Sequence, residues 1–265
     1  MGVIILADYD IVDPRSVFRG LTYGQWVGVW YNNLMSERPD IVYREGNSIA
    51  FLRGNVEYQK EDVDGKQDVD GKREVFSTLT REHRLRIQED TAVLVPVITT
   101  QIQIGDEYQG EVLNSQLALR AAARRDTVNG GEIAARIKKY PSDTMTRLVP
   151  DLNDFYIETV LFPLSVPASS AYRRTIEGTP IEPGQYQALV AGIFVIIVNL
   201  KEGVYRIAFS GRGVGNYLTK SEYDIRVYKG RARLDDVSGE GGPSLLGFDN
   251  PLGFVAKWKD KESII

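Results

Sequence analysis

Asp151, Asp154 and Glu158 come nearer to a catalytic set than any other carboxylates in this chain. Glycoside cleavage needs two carboxyl groups about 5 to 10 Å apart, one to protonate the leaving oxygen and the other to attack or to activate water. On a helix Asp154 and Glu158 would lie within that reach, because residues four apart stand above one another there. The segment from Asp154 to Ser165 instead alternates as a strand does, which parts them.

The other chemical candidates reduce to structural roles. His83, the single histidine, sits among Arg81, Glu82, Arg84 and Arg86, where a surface strand position is expected. One histidine does not make the usual metal site, and a general base needs a nucleophile and an orienting partner within reach. The tandem repeat Asp62-Val63-Asp64-Gly65-Lys66 and Asp68-Val69-Asp70-Gly71-Lys72 offers oxygen ligands to calcium. Neither unit carries the Glu that completes a helix–loop–helix calcium site, so a solvated hairpin tip is predicted. Gly211-Arg212-Gly213-Val214-Gly215 resembles a phosphate loop in composition only, since it precedes a strand and lacks the Lys-Ser/Thr ending. With no cysteine in 265 residues, disulfides, thiolate metal sites and thiol nucleophiles are excluded. No catalytic residue, metal ligand or cofactor is assigned.

A formal charge of −4 gives no global reason to bind nucleic acid or an anionic membrane, so any such binding has to be local. Between Leu117 and Tyr140, Arg120, Arg124, Arg125, Arg136, Lys138 and Lys139 outnumber Asp126 and Glu132, and the sequence reads them as a solvated helix surface. The expected partners are other protein subunits, of the same or a different chain, with neither nucleic acid nor membrane. The apolar runs Val3–Ala7 and Ile193–Val198 are too short for an export signal or a membrane span. Synthesis in a cytoplasm without a signal peptide is the expectation.

Elements have to hold these residues in place. Thr22 is a predicted cap for a helix carrying Tyr23, Trp26, Val27, Trp30 and Leu34 on one face. Trp26 and Trp30 are read as anchors against a sheet, the alternative being an exposed platform for sugars. Strands are predicted at Ser48–Arg53, Asn55–Gln59, Val75–Gln88 and Thr91–Thr100, where Pro96 implies an edge or a bulge. Helices follow at Ser115–Arg125 and Glu132–Tyr140, the second from the i, i+4 pair Ile133 and Ile137. From Pro180 to Tyr228 four strands are read, with Gly192 dividing Gln185–Ala191 from Ile193–Val198. The last two alternate Tyr205, Ile207, Phe209 and Tyr223, Ile225, Val227 against polar residues.

The Trp26 and Trp30 helix, the Ala92–Ile98 strand with its proline, the Ser115–Arg125 helix, Pro183-Gly184, Gly203, Ile207–Gly211 and Tyr223–Val227 together resemble an uncharacterised family of bacterial and archaeal β-rich proteins, usually exported. The resemblance covers roughly residues 20 to 228 and implies an extracellular-style β-sandwich with no catalytic residues to transfer. A member without its own signal fits a bacteriophage virion.

The fold class expected is therefore α+β, a predominantly antiparallel β-sandwich with two to three helices. Residues 1–228 are read as one domain with a helical insertion around 114–140 and an acidic hairpin at 60–74. Residues 229–265 form an extension that docks on its own body or a neighbour through Phe254, Trp258, Ile264 and Ile265. The function expected is a non-enzymatic structural protein of a phage head, neck or tail; the rival is a carbohydrate-active hydrolase or a sugar-binding module.

Overall fold

Two apolar runs, Ala92–Ile98 and Ile193–Val198, pair with each other at the centre of the larger sheet, buried on both faces. The computed structural model describes residues 2–5, 8–36, 41–42, 48–53, 55–58, 82–108, 110–128, 133–168, 182–212 and 217–229. One unit spans Met1–Arg231. In chain order its first elements are β1 (Val3–Ile5), β2 (Asp10–Val12), α1 (Tyr23–Met35), β3 (Ile41–Val42), β4 (Ile49–Phe51) and β5 (Asn55–Tyr58). Next come β6 (Glu82–Gln88), β7 (Ala92–Gln103), β8 (Glu107–Tyr108), β9 (Glu111–Val112), α2 (Gln116–Val128), β10 (Ile133–Lys139) and β11 (Thr146–Arg147). A 3-10 turn at Asn153–Phe155 leads to β12 (Tyr156–Glu158), β13 (Phe162–Val166), β14 (Gly184–Val198), β15 (Gly203–Arg212) and β16 (Tyr217–Tyr228).

The protein is thus α+β, mostly strand, with two helices among the described residues. Its eight-stranded sheet runs β1-β2-β14-β7-β4-β3, with β12 and β13 also on β14; its six-stranded sheet runs β11-β10-β15-β16-β5, with β6 also on β16. Both sheets are mixed, because β4 lies parallel to β7 and β6 parallel to β16. They share one core: Val93, Val95, Ile193, Val195 and Ile197 from the larger sheet meet Ala135, Ile137, Tyr205, Ile207, Phe209, Tyr223 and Ile225 from the smaller.

Period-two alternation assigns the helices to faces. Phe194 and Ile196 alternate with the core-facing residues, and α1 covers that opposite side, with Trp30 edge-on to Phe194 at 5.5 Å and Trp26 edge-on to Phe51 at 6.4 Å. The start of α1 is a capping box, in which Thr22 Oγ1 accepts from Gln25 N–H and Gln25 Oε1 accepts from Thr22 N–H. Helix α2 instead packs Leu119, Ala122 and Ala123 on Leu189, Ala191 and Ile102, the same face as the core but further along β14.

Several expectations change. Glu132–Tyr140 is no helix: Ile133–Lys139 is strand β10, in register with β15 from Ile133 opposite Gly211 to Lys139 opposite Tyr205. Ile133 and Ile137 satisfy helical spacing, but Ala135 between them also faces inward, and an open flank of β15 supplies the missing hydrogen bonds. Gly192 does not divide two strands either. A Cβ there would lie 2.1 Å from the carbonyl oxygen of Ile98, so the glycine admits a neighbouring backbone within one continuous strand.

Nearby, Pro96 pairs with Phe194 while Ile98 pairs with Ile193, leaving Val97 as the extra residue of a bulge in an inner strand. The expected strand at Asp154–Ser165 is broken in two, and Thr159 bridges the break, its N–H donating to Val190 O and its Oγ1 accepting from Val190 N–H, both at 2.9 Å. Among the described residues no helix is long and apolar enough to cross a membrane.

Candidate functional site

Two of the three carboxylates are engaged by near neighbours. Asp151 Oδ1 accepts from the backbone and side-chain amides of Asn153 at 2.9 and 3.0 Å. Glu158, on β12, accepts from the Tyr156 hydroxyl at 2.9 Å and lies 3.8 Å from Arg120 Nε on α2. Burial first, then the Glu158 carboxylate, pushes the Tyr156 hydroxyl well above the ordinary tyrosine range and keeps it a proton donor.

Asp154 lines a cleft of about 740 Å³ with Arg15, Arg124, Asn153 and Tyr156 over Ile157 and Ile193. Among the described lining residues it is the one carboxylate, so paired-carboxylate cleavage has no second member there. The aromatic platform fails as well. Trp26 and Trp30 are 3% and 2% exposed, and their indole N–H groups donate to Phe18 O and Leu52 O at 2.9 Å.

The structure assembles a feature that no single segment displays. Strand register sets Arg136 and Lys138 of β10, Arg147 of β11, Arg206 and Arg212 of β15, Lys220 and Arg226 of β16, and Arg84 and Arg86 of β6 on one face of the six-stranded sheet, away from the core. Against these nine cations, Glu222 and Asp224 share the face.

Arg206 holds the acidic middle together. Its Nε and Nη2 fork onto both oxygens of Asp224 at 2.8 and 2.9 Å, and its Nη1 reaches Glu222 at 2.9 Å. That hydrogen-bonded fork, with Arg84 and Lys138 adding to the field, holds the Asp224 carboxyl below the usual carboxylate range. Two tyrosines belong to the same surface. Lys138 Nζ lies 4.8 Å and Arg206 Cζ 5.9 Å from the Tyr140 ring centre, and Arg226 Cζ lies 5.3 Å from that of Tyr228.

Only part of this was legible. The excess of cations between Leu117 and Tyr140 is visible in the sequence, but reading β10 as helix kept Arg136 and Lys138 with Arg120 and Arg124 rather than with Arg206 and Arg226. The signal that could have found the face is the alternation Ile133, Ala135, Ile137 against Ala134, Arg136, Lys138.

Three large apolar side chains are exposed along the segment from the end of β7 to the start of α2. Ile104, Val112 and Leu117 are 43%, 62% and 80% exposed at the β8–β9 end of the protein. Leu113, next to Val112, is buried against α2, and Gly105 N–H donates to Leu113 O at 2.8 Å, which ties these segments together.

His83 lies on β6 opposite Tyr223 in the register. Gly211 and Arg212 end β15, which is followed by strand β16. The Asp62–Asp70 repeat and Phe254, Trp258, Ile264 and Ile265 lie outside the described residues. The fold and these surfaces define an α+β chain with a cation-rich sheet face. No family model, curated protein or solved structure matches it.

Proposed function

We propose that this chain is a non-enzymatic structural protein that acts by docking on other protein subunits, and that the assembly is a bacteriophage virion, in its head, neck or tail. The observation that carries the docking is the exposure of Ile104, Val112 and Leu117, three large apolar side chains on the segment that runs from the end of β7 to the start of α2. Isolated exposed leucines are ordinary, but grouped ones mark contact surfaces. The virion assignment rests on the sequence resemblance. Phe254, Trp258, Ile264 and Ile265 supply further apolar contacts in this reading. The two sheets, sharing one core, are read as a distorted sandwich that serves as scaffold.

Engaged carboxylates and buried tryptophans weigh against the rival readings, since Glu158 is bound by Tyr156 and Arg120 while Trp26 and Trp30 anchor α1. Light scattering of the full chain over a wide concentration range tests the proposal. Association is expected, weakened by Val112→Glu with Leu117→Glu and by removal of residues 240–265. A strict monomer, unaffected by either change, overturns it.

A further inference from the structure

From the outward face of the six-stranded sheet we infer a binding site for single-stranded nucleic acid, independent of the docking surface above. Expectation from net charge ran the other way, because a total of −4 averages over the whole chain. Binding responds to the local field, and here nine cations stand with Glu222 and Asp224 on one sheet face.

The spacing suits a phosphate chain. Side chains two residues apart on a strand repeat at roughly 6.6 Å, and neighbouring strands lie about 4.8 Å apart. Arg84 with Arg86, and Arg136 with Lys138, are such along-strand pairs, while Arg86 with Arg226, and Arg136 with Arg147, are pairs across strands. The result is a grid of charge that a flexible backbone can follow. Arg206, clamped by Asp224 and Glu222, separates the cations of β6 and β16 from those of β10 and β11.

The tyrosines choose the class of polyanion. An acidic peptide would be held by the cations and leave the rings idle, whereas bases stack on aromatic faces whatever their sequence. Tyr140 follows Lys138 on the outward side of β10 and is 37% exposed, and Tyr228 ends β16 on the same face. Lys138 and Arg206 lie over the Tyr140 ring and Arg226 over that of Tyr228, so a base that stacks on either ring brings its phosphate to a cation already in place.

Fluorescence anisotropy of a labelled oligothymidylate with the full chain tests this, against a duplex of equal length and polyglutamate of equal charge as competitors. Binding at low salt is expected, falling with salt by about 0.7 logarithmic units per phosphate neutralised. Arg86→Gln with Arg226→Gln should weaken it roughly tenfold and reduce the slope by about 1.4, with Arg86→Lys and Arg226→Lys restoring the slope. Tyr140→Leu with Tyr228→Leu should weaken it at least roughly fivefold with the slope unchanged. Asp224→Asn should tighten it.

Circular dichroism of each variant confirms that the fold is kept. No binding at low salt overturns the proposal. So does binding to which the arginine pair is indifferent. If polyglutamate competes as well as oligothymidylate and the tyrosine variants bind normally, the face is a dock for acidic protein and the nucleic-acid reading falls.

Discussion

Replacing Tyr23 by Phe removes one oxygen atom and should cost about 2 to 4 kcal/mol. Strand β2 pairs with β14 at Ile11 opposite Ile197 and Asp10 opposite Val198, so the next pair along would be Val12 with Ile196. The Tyr23 hydroxyl stands there instead, donating to Val12 O at 3.0 Å and accepting from Ile196 N–H at 2.8 Å. It is a rung of the sheet contributed by a helix. Tyr23 is 1% exposed, so water does not replace the lost oxygen, and the phenyl ring still fills the site without leaving a cavity.

Each stranded buried group costs about 1 to 3 kcal/mol, and some relaxation of the two strands brings the pair to the stated range. Urea unfolding followed by tryptophan fluorescence measures it, with an unchanged m-value showing that the same surface is exposed. The variant also tests linkage. Burial raises the Tyr23 hydroxyl above the ordinary tyrosine range of roughly 10. Stability is therefore fully present below that range and is lost as pH climbs above it, where the unfolded chain ionises first. Tyr23→Phe should flatten this alkaline decline. A loss under about 0.5 kcal/mol would refute the reasoning, since it would mean that Val12 and Ile196 close the gap by themselves.

Other consequences follow from the same contacts. Gly192→Ala forces a methyl group onto the Ile98 carbonyl and should cost about 3 kcal/mol, read as a lower midpoint in urea. Asp224→Asn breaks the Arg206 fork and should cost about 0.5 to 1 kcal/mol at neutral pH, a modest figure because the pair is part-exposed. Because Arg206 lowers the Asp224 pKa, that contribution is fully present above the ordinary carboxylate range and is lost as pH falls below it, through the lowered Asp224 pKa. Thermal melts of wild type and variant should therefore converge in acid. Trp30→Phe should destabilise by about 1 to 3 kcal/mol, leaving Leu52 O without its indole donor, and the same melts detect it.

Much of the fold was legible residue by residue. The α1 cap at Thr22, the inward face of Trp26 and Trp30, the burial of Ile193–Val198 and the alternation of β15 and β16 each depend on neighbours within a few positions. Helical and strand periods show directly there. Where a segment satisfies two periods, as Ile133–Lys139 does, local pattern cannot decide. The free flank of β15 did. Gly192 failed for a related reason, since the carbonyl that requires a glycine there belongs to Ile98, far away in sequence.

The candidate surfaces divide in the same way. By itself the sequence determined the absence of thiol chemistry, the lone histidine, the α+β character and the cations between Leu117 and Tyr140, because these are properties of composition and local order. Only the tertiary structure decided which charges stand together. Arg84, Arg136, Arg206 and Arg226 lie on four strands, and they meet because hydrogen-bond register, not sequence distance, selects the side chains that share a face.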